Sequence, residues 1–260
     1  MRMGGHAHPT QCGEVTGLLS GGVPLCLTPA CSGALPTVAP AEAWALGVAT
    51  VEIGYRPMSY SDFTLKRAKD EFGLNVIEDK DLFSKIPETQ ISEYLSTTLS
   101  YNVPLAMAVG TEKARSEFII ANVLLEVRKI LNNKISLFSG IIMDVDKEKG
   151  LTGFCDFIIS KSQEQFYLSA PIIAIVEAKN EYIVGGLGQC IAEMYASRIF
   201  NDREGLQLSA IYGAVTTGNI WKFLKLKQES NHVYVDLQEY YIANVNKIVA
   251  ILVEMVNQNA

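Results

Sequence analysis

The residues best suited to chemistry sit at the ends of apolar runs. In Ile172-Ile173-Ala174-Ile175-Val176-Glu177-Ala178-Lys179-Asn180, two opposite charges two residues apart close an otherwise apolar segment. Side chains alternate along a strand, so Glu177 and Lys179 share one face and Ala178 takes the other. Asp156 is likewise the single charge in Gly153-Phe154-Cys155-Asp156-Phe157-Ile158-Ile159, on what reads as a neighbouring strand. An unpaired charge in such a place is expensive, so each needs a partner. Two carboxylates from adjacent strands with a lysine beside them form a hard-oxygen site suited to Mg²⁺, with Mn²⁺ as a substitute. Such a site can polarise a phosphoryl oxygen and activate water, with the lysine orienting the water or stabilising developing charge. For Glu-x-Lys taken alone, the alternative is a salt-bridged strand end open to solvent.

The elements that must position these residues follow from periodicity. Phe63, Leu65, Ala68 and Phe72 predict a short helix over 61–72, capped by Ser61 or Asp62 and closed by Gly73. A second helix is expected over 88–100, with Pro104 ending that stretch. A third runs from Thr111 to about Leu131 on an apolar stripe that includes Phe118, Val123 and Val127. Strands are expected at 135–145 and 152–160, joined by a turn at Lys147-Glu148-Lys149-Gly150, and a buried central strand at 172–178. A helix over about 187–200, strands at 208–216, 220–227 and 232–236, and a helix over 238–257 complete the order. This reads as one mixed α/β domain with helices on both sides of a central sheet, preceded by an N-terminal helical segment.

With those residues in that order, the chain resembles the PD-(D/E)XK, or restriction-endonuclease-like, nuclease superfamily over about residues 111–227. The resemblance implies a core of helix, three antiparallel strands, helix and a further strand. It implies Asp156 as the acidic residue of the second strand and Glu177 and Lys179 as the (D/E)-x-K pair of the third. It also implies Gln189 as the glutamine that several subfamilies carry on the following helix, and Glu117 as the glutamate often found on the helix before the first strand. Asp156, Glu177, Lys179 and Gln189 would then be the catalytic set, with Asp156, Glu177 and Glu117 as metal ligands. The implied activity is Mg²⁺-dependent hydrolysis of nucleic-acid phosphodiester bonds, DNA before RNA. Cys155 stands before Asp156 where the family often has proline. The competing expectation is a catalytically inactive module that keeps the fold within a defence or repair assembly.

Other candidates have simpler explanations. Glu117 could be an ordinary glutamate near a helix start, where the dipole favours it. Gln189 falls in the first turn of its expected helix, and Glu193, one turn on, reads as a solvated neighbour. Gly186-Leu187-Gly188 lacks the third glycine of a dinucleotide loop, since Ile191 stands in its place. His232 is alone among strand residues, Cys190 has no histidine near it, and Cys155 reads as a small core residue. Trp221, Lys222, Lys225 and Lys227 could form a nucleic-acid surface or the solvated face of an edge strand protected by lysines.

Composition sets the outer limits. The chain has 260 residues and a net charge of −6, but charge is uneven. Residues 1–57 hold only Arg2, Glu14, Glu42, Glu52 and Arg56, together with nine of the 20 Gly and six of the nine Pro. This stretch is expected to be a disordered or non-native extension, with the functional domain spanning 58–260. Gly21, Gly22 and Pro24 interrupt its apolar run, which argues against an export signal. His6 and His8 have no further metal-ligating partner there. No uninterrupted run is long enough to span a membrane. Five cysteines make no disulfide framework and are expected in a reducing cytoplasm. With no separate recognition domain, specificity would come from a homodimer, another partner or the helices within 61–131.

Overall fold

The computed structural model describes residues 57–258. The N-terminal stretch expected to be an extension therefore falls, apart from Pro57, outside the described residues, as do His6, His8, Cys12, Cys26 and Cys31. A 3-10 turn at Tyr60–Asp62 leads into α1 (Leu65–Phe72), β1 (Asn75–Lys80) and α2 (Glu93–Val109). A continuous helical run follows, made of α3 (Glu112–Arg115), a π-helical segment (Ser116–Ile120) and α4 (Ala121–Ile130). Then come β2 (Ser136–Ile142), β3 (Phe154–Ser160), β4 (Ile172–Ala178), α5 (Ile183–Arg203), β5 (Ala210–Thr216), β6 (Ile220–Lys227) and β7 (His232–Asp236). The short β8 (Tyr240–Tyr241), a 3-10 turn (Ile242–Asn244) and α6 (Val245–Asn257) complete the order.

The strands form one mixed sheet in the order β1-β7-β6-β5-β4-β3-β2, with β8 pairing β6. The β1–β7 and β4–β5 pairs are parallel and the others antiparallel. Helices cover both faces, as expected. One core joins Ile119, Val123, Val176, Ala178 and Phe223 to α6 through Ile248 and Leu252. The other joins Phe63, Phe72 and Ile175 to α5 through Leu187, Ile191 and Met194. Ala178 belongs to the first, and Val215, the cross-strand partner of Glu177, to the second, so the ladder at the end of β4 serves both layers.

Local chemistry explains the boundaries. The α1 cap is Thr64, whose hydroxyl accepts the Arg67 N–H, rather than Ser61 or Asp62. Gly73 closes the helix at φ 62°, a left-handed conformation that glycine adopts without a Cβ penalty. Pro104 lies inside α2 instead of ending it. Proline removes one helical N–H at a cost of about 3 kcal/mol, and burial of Leu95, Leu99 and Ala106 holds the helix through it. Ser92 caps α2, and its backbone N–H and hydroxyl both donate to the buried Glu126 carboxylate, at 2.6 and 2.8 Å. The expected 238–257 helix starts later, at Val245, because Tyr240 pairs with Trp221 and its hydroxyl donates to Asp236 at 2.8 Å. The edge strand β1 has no counterpart in the sequence reading. Its Glu78, Asp79 and Lys80 are exposed, and no alternating buried face reveals it.

Candidate active site

The site is built where β3 and β4 lie side by side. Phe157 pairs with Val176 in an antiparallel ladder, and one further step of that register sets Asp156 opposite Glu177. Opposite residues in such a ladder have Cβ atoms about 5 Å apart. Asp156 Oδ2 also accepts the Ala178 backbone N–H at 2.8 Å, which ties its carboxylate to the end of β4. On the other side of β4, the Lys179 N–H donates to the Thr216 carbonyl at 2.8 Å, so the strand end is held from both flanks.

Glu177 is only 1% exposed, which corrects the alternative of a solvent-open strand end. Lys179 Nζ lies 2.6 Å from Glu177 Oε1 and 3.1 Å from Gln189 Oε1. Gln189 Nε2 then donates to Glu193 Oε1 at 3.1 Å. Four side chains from β4 and α5 thus form one connected polar chain beneath an apolar layer. Burial, and then the Asp156 charge, push the Glu177 carboxyl up to about 8 against the opposing pull of Lys179. Burial draws the Lys179 ammonium down, but the Glu177 carboxylate beside it outweighs this, and the net direction is upward. Burial and the Glu177 charge hold the Glu193 carboxyl well above its ordinary value.

Two glycines let α5 approach. A Cβ on Gly186 would meet Val215 Cγ1 and the Lys179 stem at 2.7–3.0 Å, so the helix start can lie on Lys179 only because nothing projects there. A Cβ on Gly188 would strike the Phe63–Leu65 backbone. These glycines serve close packing within α5, which begins at Ile183, four residues earlier than expected. Gln189 accordingly sits in the second turn rather than the first.

The end of the β3–β4 pair opens into a cleft of about 260 Å³ lined by Glu112, Glu117, Ser139, Gly140, Asp156 and Ala178. Glu117 reaches this cleft from the π-helical segment, a type of helix irregularity frequent at functional sites. Its carboxylate pairs with Lys113 at 2.7 Å, and its side chain is half exposed. Glu112, which the sequence reading did not single out, also lines the cleft, and its charge acts on both Glu177 and Lys179. Its place directly after the Thr111 cap gave it the signature of an ordinary first-turn acid. A larger cleft of about 610 Å³, lined by Arg67, Glu71, Phe72, Lys147 and Glu148 among others, contains none of these carboxylates.

Several expectations are corrected. Glu193 is fully buried, not a solvated neighbour. Trp221 is also fully buried, with its indole N–H donating to the Gly218 carbonyl at 3.2 Å, so it offers no surface to a ligand. The strand that carries Lys225 and Lys227, β6, lies between β5 and β7 and is not an edge. Their ammonium groups stand 5.3 and 5.2 Å from the ring centroids of Tyr212 and Tyr234. Cys155 is a buried core residue, as expected, and so is Cys190, with both thiols pushed up by burial.

Among the described residues, no three His, Cys, Asp or Glu side chains converge closely enough to form a complete ion cage. Two carboxylates still suit Mg²⁺, which keeps several waters and takes substrate oxygens for the rest of its shell. Glu177 Oε2 is buried without a hydrogen-bond partner, the condition of a carboxylate whose second oxygen awaits a cation. The donor set therefore fits. No protein-family model and no curated protein matches the chain. No described helix is long and apolar enough to cross a membrane.

Proposed function

We propose that residues 58–260 form a metal-dependent phosphodiesterase of the restriction-endonuclease-like type that hydrolyses nucleic acid, with DNA as the first substrate to test. The observation that carries this reading is the placement of Asp156 across the ladder from Glu177, with Lys179 bound to Glu177 at 2.6 Å. The order of β2, β3 and β4 in antiparallel succession, then α5, then β5 parallel to β4, supports it.

Asp156 and Glu177 would hold Mg²⁺ or Mn²⁺, with Glu117 lining the cleft that Asp156 also lines. The cation when bound supplies charge stabilisation on a phosphoryl oxygen and activation of water. Lys179 has three N–H donors and spends two on Glu177 and Gln189. The third is available to the attacking water or to the phosphate as charge develops. Gln189 holds the ammonium in place through its carbonyl oxygen, and the apolar layer around Glu177 keeps bulk water from weakening these contacts. In the reaction, a water oxygen bonds to phosphorus and gives up its proton to solvent, the bond to the leaving oxygen breaks, and that oxygen takes up a proton from solvent to leave as the alcohol.

A catalytically silent nucleic-acid-binding module is the second reading. It is favoured by the lack of a three-ligand group among the described residues and by the Glu177 carboxyl's preference for its protonated form. The two readings part on turnover. The protein is incubated with single- and double-stranded DNA and RNA in Mg²⁺ or Mn²⁺, beside Lys179→Ala. Cleavage by the wild type that disappears in the variant supports the enzyme, and equal cleavage in both overturns this assignment.

A further inference from the structure

Glu193 is the least expected member of the cluster. Its neighbours on α5, Ala192, Met194 and Ala196, are apolar and fully buried, and an apolar side chain at 193 would suit the same surroundings. A buried carboxyl is costly, and replacing buried ionisable groups by well-packed apolar ones is often stabilising. Something other than packing must explain this residue. It lies one helical turn beyond Gln189, so the two side chains meet on one face of α5.

We propose that Glu193 is a positioning residue that fixes which way the Gln189 amide faces, and through it the Lys179 ammonium. This rests on the phosphodiesterase reading only for its consequence on turnover. A glutamine amide has a donor end and an acceptor end of nearly equal shape, so its orientation is decided by its partners. Glu193 Oε1 accepts from Nε2 at 3.1 Å, which leaves the amide oxygen to accept from Lys179 Nζ at 3.1 Å. Turning the amide over would set its NH₂ group against the ammonium and its oxygen against the carboxyl, two unfavourable contacts in place of two favourable ones. Because Oε1 accepts from Gln189, a proton on Glu193 belongs on Oε2, where it does not disturb that bond. Lys179 is thereby held at two points, Glu177 and Gln189, with the remaining N–H aimed by the geometry of the other two.

The test combines two measurements on the full chain. The first follows proton exchange of the Gln189 side-chain amide by NMR, with the resonance assigned by its loss in Gln189→Leu. In the wild type, exchange should be slowed roughly fivefold, the protection that a hydrogen bond of ordinary net strength gives. That protection should vanish in Glu193→Met, which keeps the volume and removes the acceptor, and persist in Glu193→Gln. The second compares turnover. Glu193→Met should lower kcat roughly tenfold with KM unchanged, because the lysine is misplaced but not removed, and Glu193→Gln should restore most of it. Free exchange of Gln189 in the wild type overturns the proposal even if Glu193→Met does not fold. So does unchanged protection in Glu193→Met. A wild type that cleaves nothing overturns the phosphodiesterase reading alone, and the amide measurement still decides the role of Glu193.

Discussion

Lysines interrupt apolar strands at two places in this sheet, and the two places handle the charge differently. At the end of β4, Lys179 is three-quarters buried and binds a carboxylate and an amide oxygen. On β6, Lys225 and Lys227 lie over tyrosine rings and have no carboxylate within ion-pair distance among the described residues. The first arrangement brings acids and a cation together in a buried setting, and it holds the Glu177 and Glu193 carboxyls above their ordinary values. The second lets long apolar stems cover aromatic surface while the ammonium groups stay near solvent. Both stretches carry lysines among apolar residues in the sequence, yet only the first has the converging, strained electrostatics expected of a reaction centre.

The largest difference between the two should appear in turnover. Lys179→Ala should lower cleavage by roughly 10³-fold, as expected for loss of a group that stabilises developing charge in a buried site. The double variant Lys225→Ala/Lys227→Ala should change cleavage by less than about threefold, in keeping with surface substitutions away from a site. Initial rates on the same substrate provide the comparison, and a comparable loss in both variants would erase the distinction.

A smaller effect should appear in stability against pH. The Glu177 carboxyl is raised from 4.5 to about 8 by burial and by Asp156. The folded protein therefore holds that proton more tightly than the unfolded chain. This contribution is fully present below pH 4.5 and is lost as pH rises towards 8. Glu177→Gln cannot ionise and escapes the loss. Thermal melts should show the variant gaining on the wild type between pH 5 and pH 8, by an amount on the order of a few kcal/mol. A constant gap across that range would mean that Glu177 is not held in an unfavourable setting for its charge.

The smallest effect belongs to the β6 lysines. Each ammonium over a tyrosine ring should contribute about 0.5–1 kcal/mol, so removing both should lower Tm by a few degrees. A drop several times larger would show that this face has a structural role beyond ring contact.

The legible parts of the fold were those with a strong local pattern. The bounds of β4, β6 and β7 agree with the sequence reading because each is a dense apolar run bounded by turn residues. Gly73 and Thr111 mark helix ends by capping chemistry that depends on only a few neighbouring residues. Elements whose identity depends on distant partners were not legible. The β1 strand is defined by pairing with β7, more than 150 residues later, and α2 passes Pro104 because of tertiary packing. At the site, Glu177 and Lys179 stand together as their spacing suggested, and Gln189, which only the family resemblance singles out, meets Lys179. Asp156 faces Glu177 because of a register that no single strand contains. A usable signal for Glu193 was present, since Gln189 and Glu193 are polar residues four apart in the otherwise apolar stretch Leu187–Met194. Glu112 had no such signal, because its relation to Glu177 comes only from how α3 lies over the strand ends.

Asp156 and Glu177 are proposed to hold a divalent cation together at a phosphodiester. Calorimetric titration of Mn²⁺ into the wild type and into Asp156→Ala tests it most directly, each with an uncleavable phosphorothioate oligonucleotide present to supply the remaining oxygen ligands. Binding should be saturable in the wild type and weaken at least about tenfold in the variant, since ligand loss removes a charged oxygen donor. Identical isotherms for the two proteins would contradict it.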